Sequence, residues 1–156
     1  MDPNSHKENN EFLKKKGVVI AFDLGKKKIG VAVGNNLLNT SENLKTLYAS
    51  NKKERFNKIK NIIDEWKPIY IILGYPSNKD GSMNEMSKFS LNIGKEIENK
   101  LSLSVIYVNE NFSSTASENF IKNNLELDVR KNNDLVDQIA ADIILQSHLE
   151  EQKAKV

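Results

Sequence analysis

Residues 17–34 form two apolar runs joined by a short turn of glycine and lysine, and they constrain the fold more than any other stretch. Successive side chains of an extended chain point to opposite faces, and both faces of the first run are apolar up to Asp23. This pattern predicts a strand that is buried on both sides. Because the connection around Gly25 is short, we expect residues 28–33 to pair with the first run as an antiparallel hairpin.

Asp23 is the single charged residue of the first run, and it lies at the carboxyl end of that run. Ligands of open sheets bind beyond the carboxyl ends of the strands. A buried carboxylate costs several kcal/mol unless a cation or hydrogen bonds compensate it. Asp23 is therefore either a metal ligand or a residue that caps the turn, and both interpretations stay open at this point.

Composition indicates a single globular domain, with 156 residues of which 38% are hydrophobic and 28% charged. The chain has no cysteine, which excludes disulfides, thiol nucleophiles and zinc-thiolate sites. This absence fits a reducing compartment, and we expect a cytoplasmic protein. No apolar run approaches the roughly 20 residues of a membrane helix, so we expect no membrane partner. A net charge of +2 is too small to indicate a nucleic-acid partner by itself.

The remaining pattern predicts an α/β fold with a five-stranded mixed sheet and helices on both faces. Further strands are expected at residues 44–48, 69–74 and 104–108, and helices at 52–66, after Asn84, at 115–124 and at 134–150. Residues 1–16 lack periodicity and are expected to be a disordered polar leader. Residues 17–150 would form the domain, and residues 151–156 would be a polar tail.

Two further acids are candidates to join Asp23 at one site. Glu110 ends the last predicted strand, and Asp137 lies on a face of the final helix that carries small residues one turn onward. Asp137 could equally serve the helix dipole alone. If the three carboxylates converge, they repel one another unless cations lie among them, and oxygen-only ligands suit Mg²⁺ or Mn²⁺.

Two such ions about 4 Å apart can activate a water molecule and stabilise the leaving oxygen in phosphodiester cleavage. Spacing alone is weak support for this triad, because the chain holds 21 acidic residues. The turn beside Asp23 adds a candidate phosphate contact, since Gly25 lacks a side chain. Three lysines follow it, and their contacts with a nucleic-acid backbone would be independent of sequence; they are Lys26, Lys27 and Lys28. Arg130 and Lys131 lie in a polar connection that is either a solvated loop or a nucleic-acid clamp.

Four collinear blocks of sequence resemble the YqgF/RuvX family of ribonuclease H-like nucleases, whose members are described as Holliday junction resolvases and as pre-16S ribosomal RNA nucleases. The resemblance covers about residues 17–150. The blocks are FDLG at 22–25 with KIGVAV at 28–33, GYP at 74–76 with DG at 80–81, VNE at 108–110 with SS at 113–114 and Glu118, and DQIAA at 137–141 with ILQ at 144–146 and Leu149.

The resemblance implies a ribonuclease H-like fold and a metal-dependent endonuclease whose catalytic metal ligands are Asp23, Glu110 and Asp137. It favours processing of the 5′ end of precursor 16S ribosomal RNA, with branched DNA as the second substrate. The chain departs from the family pattern where Asn109 and Asn111 replace the usual aspartate and arginine on either side of the glutamate. Lys26 replaces a threonine that is common in the first turn.

Two other classes of function remain open at this stage. The first is a non-catalytic nucleic-acid or ribosome-assembly module, in which the basic patches bind and the acids are structural. The second is a phosphotransferase of the sugar kinase and actin type, whose first phosphate loop also follows an Asp-x-Gly hairpin. Those enzymes close two domains around ATP, so this chain would have to form a dimer to rebuild the cleft. A homodimer also stays open for a nuclease.

Overall fold

The structure is a computed structural model that describes residues 11–78, 80–109 and 133–154 of the chain. A short 3-10 turn, Glu11–Lys14, precedes the main elements. The strands and helices are β1 (Val18–Leu24), β2 (Lys28–Asn35), β3 (Thr40–Tyr48), α1 (Lys52–Trp66), β4 (Tyr70–Tyr75), α2 (Glu85–Leu101), β5 (Val105–Asn109) and α3 (Asn133–Ala154). None of the described helices combines the length and the apolar character that crossing a membrane requires.

The five strands form one mixed sheet in the order β3-β2-β1-β4-β5. β1 pairs antiparallel with β2, and β2 pairs antiparallel with β3, while β4 runs parallel to both β1 and β5. The central strand β1 is buried almost throughout, as its apolar run requires. The predicted hairpin and the predicted five-stranded mixed sheet are therefore confirmed.

Helices cover both faces of the sheet. Side chains at alternating positions of each strand point to opposite faces and therefore enter two separate cores. On one face, Ile20 and Phe22 of β1 pack with apolar side chains of α1 and α2. On the other face, Val19 and Ala21 pack with Ala141, Ile144 and Leu145 of α3. This second face, which we call the α3 face, is the one that carries the candidate site.

Caps define the ends of the two helices on the first face. The Asn51 side chain accepts a hydrogen bond from the Glu54 amide at 2.8 Å and begins α1. The predicted Asn84 cap of α2 is confirmed: its side chain accepts from the Ser87 amide at 3.0 Å, and the Ser87 hydroxyl accepts from the Asn84 amide. α1 ends at Trp66, and the capping residue that follows, Lys67, adopts the left-handed conformation with φ 48°.

Several element boundaries differ from the prediction. β3 begins at Thr40, whereas the pattern predicted a strand only from residue 44. α3 continues past residue 150, where the domain was expected to end. Within the expected leader, Phe12 packs edge-on against Tyr70 with ring centroids 5.6 Å apart, so this part of the chain contacts the domain. The helix predicted at 115–124 lies outside the described residues.

Candidate functional site

Asp23 lies between two glycines in the sheet. It is the sixth residue of the seven-residue strand β1, and its cross-strand partners are Gly30 on β2 and Gly74 on β4. The side chain is half-buried. Residues directly opposite each other in a sheet point to the same face, so neither neighbour places a side chain beside the carboxylate. Asp23 follows Val19 and Ala21 at every second position of β1, so its side chain points to the same face of the sheet, toward α3.

Asp137 reaches the same place from the opposite direction. α3 lies so close to β2 that a methyl group added at Gly30 would be 2.1 Å from the carbonyl oxygen of Asp137 and 3.1 Å from its Cβ. Paired residues of neighbouring strands have Cβ positions about 5 Å apart, so the Cβ atoms of Asp23 and Asp137 lie within about 9 Å of each other. Two carboxylates at that spacing can share a cation between them.

The direction of α3 favours negative charge at this position. α3 contacts β2 first at Gly30, through Asp137, and later at Gly34, where an added methyl would be 2.9 Å from Leu145 Cδ2. The amino-terminal end of α3 therefore lies at the same end of the sheet as Asp23. Unpaired amide groups at a helix amino terminus carry a partial positive charge, which stabilises nearby carboxylates.

The end of β5 lies at this same edge of the sheet. The register places Asp23, Gly74 and Val108 in one row across β1, β4 and β5. The next residue, Asn109, donates a hydrogen bond through its side-chain amide to the Ser77 hydroxyl at 3.0 Å and joins the ends of β4 and β5. Glu110 follows directly in the chain but lies outside the described residues, as do Arg130 and Lys131.

The turn between β1 and β2 presents lysines beside the two aspartates. Lys26 and Lys27 are exposed, and Lys28 is half-buried. The Gly25 amide donates to the Lys28 carbonyl at 2.8 Å, and a methyl added at Gly25 would lie equally close to that oxygen. The structure therefore explains Gly25 by closure of the turn, and the approach of a phosphate to Gly25 stays a prediction.

Arg55 of α1 supports this turn from the other face of the sheet. Its guanidinium donates to the Lys26 carbonyl at 3.1 Å and lies 4.6 Å from the centroid of the Phe89 ring. Both contacts hold the turn in one position relative to the core. Sequence reasoning did not single out Arg55, since a contact between residues 29 positions apart leaves no local signal.

Other titratable residues on or near α3 have structural surroundings. Burial raises the pKa of Asp142, while hydrogen bonds from Ser41 and Gln146 act in the opposite direction. His148 is buried, and its Nε2 atom lies 2.8 Å from the hydroxyl of Tyr70. Burial also raises the pKa of Tyr70 to about 12. These groups therefore take part in packing and lie along α3 beyond Asp137.

Within residues 11–78, 80–109 and 133–154, no three metal-ligating side chains form a cluster. Asp23 and Asp137 are the two predicted acids that these ranges contain, and the structure brings them together. Both offer only oxygen donors, which are the ligands that Mg²⁺ and Mn²⁺ prefer. The donor chemistry of the pair therefore fits such an ion, and the third predicted ligand lies outside the described part of the chain.

Comparisons with known proteins agree with this architecture. The fold is similar to that of the fowlpox virus Holliday junction resolvase, with a TM-score of 0.56 and 18% identity over 86% of this chain and 98% of the other. It is also similar to T. thermophilus RuvC in complex with a Holliday junction substrate, with a TM-score of 0.56 and 13% identity over 90% and 98%. These likenesses confirm the ribonuclease H-like fold.

Sequence relatives cover nearly the whole chain. A protein of Nitrosospira multiformis named "Putative pre-16S rRNA nuclease" is 32% identical over 88% of this chain and 91% of its own length. A protein of Neisseria gonorrhoeae with the same name is 35% identical over 86% and 89%. A model of the RuvX family, described as Holliday junction resolvase, matches residues 17–151. The chain therefore belongs to the RuvX family, a family of nucleases that act on nucleic acid.

Proposed function

We propose that this protein is a metal-dependent endonuclease whose metal ligands include Asp23 and Asp137. The observation that carries the proposal is the close approach of α3 to Gly30, which places Asp137 beside Asp23 on one face of the sheet. Two carboxylates held this close repel each other, and a divalent cation between them relieves the repulsion. Glu110, which follows the last residue of β5, is the proposed third ligand.

Each part of the site has a role in this proposal. Bound Mg²⁺ or Mn²⁺ would supply Lewis-acid chemistry for phosphodiester hydrolysis. Asp23 and Asp137 hold the ions, and the rigid sheet and helix keep the two carboxylates at a constant spacing. The exposed Lys26 and Lys27 contact phosphates of the substrate backbone, which gives binding that weakens as salt rises. Arg130 and Lys131 remain predicted contacts to the same backbone.

The favoured substrate is precursor 16S ribosomal RNA, because the relatives that cover most of the chain are named pre-16S rRNA nucleases. Cleavage at its 5′ end is what the resemblance in the sequence implies. Branched DNA is the second candidate, favoured by the description of the RuvX family as Holliday junction resolvase. The phosphotransferase alternative is less favoured, because the family model that matches residues 17–151 is described as Holliday junction resolvase. A homodimer and a cytoplasmic location remain predictions from the sequence.

The decisive experiment compares Asp23→Asn with a matched control, Asp64→Asn. Asp64 is exposed on α1, where it pairs with Lys60 at 2.6 Å, and it lies outside the candidate site. Both variants lose one negative charge with little change in shape. We expect Asp23→Asn to abolish Mg²⁺-dependent cleavage of precursor ribosomal RNA and of a four-way DNA junction, whichever the wild type cuts. Asp64→Asn should cleave at the wild-type rate, because an exposed ion pair contributes less than about 1 kcal/mol.

Thermal unfolding with and without Mn²⁺ gives a second readout that does not depend on activity. An ion that binds the folded state raises its stability, so wild type and Asp64→Asn should gain melting temperature and Asp23→Asn should gain less. Full activity of Asp23→Asn would refute the proposed mechanism. Nucleic-acid binding that survives chelation, without cleavage of either substrate, would instead favour the non-catalytic assembly module.

A further inference from the structure

Tyr48 is an aromatic side chain that the fold leaves in solvent beside the candidate site. It is the last residue of β3, and 46% of its surface is exposed. All other aromatic side chains in the described part of the chain are buried or half-buried. An exposed ring on the surface offers an apolar face that a ligand can cover and a hydroxyl group that can stay in water.

The register places Tyr48 on the face that carries Asp23. Asp23 pairs with Gly30 and Gly30 with Thr46, which makes one row across three strands. Thr46 belongs to the α3 face, since its hydroxyl accepts a hydrogen bond from Gln138 of α3 at 3.2 Å. Tyr48 lies two residues farther along β3, so its side chain points to the same face as that of Thr46.

The spacing between Tyr48 and Asp23 follows from sheet geometry. Tyr48 lies two strands across and two residues along from Asp23. Neighbouring strands are about 4.8 Å apart and each residue advances about 3.4 Å, so the two Cα atoms are about 12 Å apart. This distance suits a substrate strand that has one phosphate at the aspartates and a base one or two nucleotides away at Tyr48.

The surroundings of Tyr48 are basic and well anchored. Lys28 is its cross-strand partner, and the Lys28 Nζ atom lies 5.7 Å from the centroid of the ring. Lys58 of α1 donates a hydrogen bond to the Tyr48 carbonyl oxygen, and the next amide, that of Ala49, donates to the Lys27 carbonyl at 3.0 Å. The backbone is thus held on both sides, which lowers the entropy lost when the ring binds a ligand.

We propose that Tyr48 is a stacking platform for an unpaired nucleobase of the substrate strand, with Lys28 contacting an adjacent phosphate. An exposed ring beside a lysine matches the way proteins bind single-stranded nucleic acid, where bases stack on aromatic side chains and cations follow the backbone. The bases of an uninterrupted duplex are stacked on each other and cannot use the platform. The inference rests on the proposed nuclease function, and it assigns the site a substrate with unpaired nucleotides next to the bond that is cut.

The first test compares binding of two RNAs by the full-length chain, with chelator present so that no metal-dependent cleavage occurs. One RNA is an uninterrupted duplex, and the other is the same duplex with a three-nucleotide internal loop. Stacking on an aromatic side chain contributes about fivefold or more in affinity per base. We expect Tyr48→Ala to weaken binding of the looped RNA by at least about fivefold and binding of the duplex by less than twofold. Tyr48→Phe, which keeps the ring, should bind both RNAs like wild type.

The chain offers a matched control in Leu38→Ala. Leu38 is 67% exposed and lies in the turn at the other end of β2 and β3, away from the aspartates. The Leu38→Ala variant should bind both RNAs like wild type. If Tyr48→Ala melts at a much lower temperature, Tyr48→Leu replaces it, because leucine keeps an apolar side chain on the strand but has no ring face to stack.

The second test places 2-aminopurine in the loop, since its fluorescence is quenched when the base stacks. We expect quenching on binding to wild type, Tyr48→Phe and Leu38→Ala, and none with Tyr48→Ala. Equal loss of duplex and loop binding, or unchanged quenching in Tyr48→Ala, would overturn the platform even if cleavage is normal. A wild type that cleaves no substrate would count against the proposed nuclease function, whereas the binding and quenching results would still decide the platform.

Discussion

Replacing Gly30 by alanine perturbs the contact that positions the two aspartates. The new methyl group would lie 2.1 Å from the Asp137 carbonyl oxygen. Carbon and oxygen atoms in close contact are about 3.3 Å apart or more, so α3 would have to move by about 1 Å. Asp23 is on the neighbouring strand and would stay in place. The substitution therefore separates the two carboxylates without altering either of them.

The expected effects on stability and on activity differ in size. Overpacking a closely packed contact costs about 1–3 kcal/mol, and each kcal/mol lowers the melting temperature of a chain of this size by about 2–4 °C. The protein stays folded at 25 °C, because typical domains have about 5–15 kcal/mol to lose. A displacement of about 1 Å in a catalytic group can lower the rate about 100-fold. We therefore expect a small loss of stability and a large loss of cleavage.

Gly34→Ala is the matched control for this prediction. Its methyl would lie 2.5 Å from the Thr40 carbonyl oxygen and 2.9 Å from Leu145 Cδ2, on the same face and strand but away from the aspartates. Melting temperatures from circular dichroism and initial cleavage rates in Mg²⁺ are measured for both variants. We expect similar losses of stability, with cleavage by Gly34→Ala within several-fold of wild type. Full activity of Gly30→Ala, or equal loss in both variants, would refute the reasoning.

Two further predictions concern stability alone. Because burial raises the pKa of Asp142 in the folded state, its charged form opposes folding, and this cost appears as pH rises through that pKa. Asp142→Asn should therefore melt above wild type at pH 7, with a difference that shrinks as pH falls and vanishes below about pH 4; a difference independent of pH would contradict this. Lys67 has φ 48°, so Lys67→Gly should relieve left-handed strain and raise the melting temperature by about 2–4 °C, and an unchanged value would count against strain there.

The pattern of apolar residues predicted β1 well and β3 poorly for a physical reason. β1 is central and buried on both faces, so its apolar run is continuous. β3 is an edge strand whose pairing with β2 shifts between Val31 and Ala32, where the partners change from Lys45 to Asn43. Such a bulge reverses which face the side chains point to, and residues 40–43 ahead of it are all polar, so no single hydrophobic alternation runs through β3. The sequence therefore predicted only the second half of β3.

Lys26 and Lys27 of the first turn were predicted from the sequence and are exposed, whereas neither Tyr48 nor Arg55 was singled out from the sequence. Both owe their place to pairings between distant segments. Tyr48 lies beside Lys28 through the register of β2 and β3, and Arg55 reaches Lys26 across the edge of the sheet. A single sequence shows residue types and local periods, but it does not show which edge residues the register brings together.

The approach of Asp23 to Asp137 depends on how α3 is placed along β2. Eight residue steps of α3 separate its contacts with Gly30 and Gly34 and span about 12 Å, while the four residue steps of β2 span about 13 Å. The two lengths agree, so Gly30 can meet the Asp137 carbonyl while Gly34 meets the Leu145 side chain. The small residues that alternate along β2 therefore allow the close approach of α3 that sets the distance between the aspartates, and together with the small residues one turn after Asp137 they are the sequence signal for it.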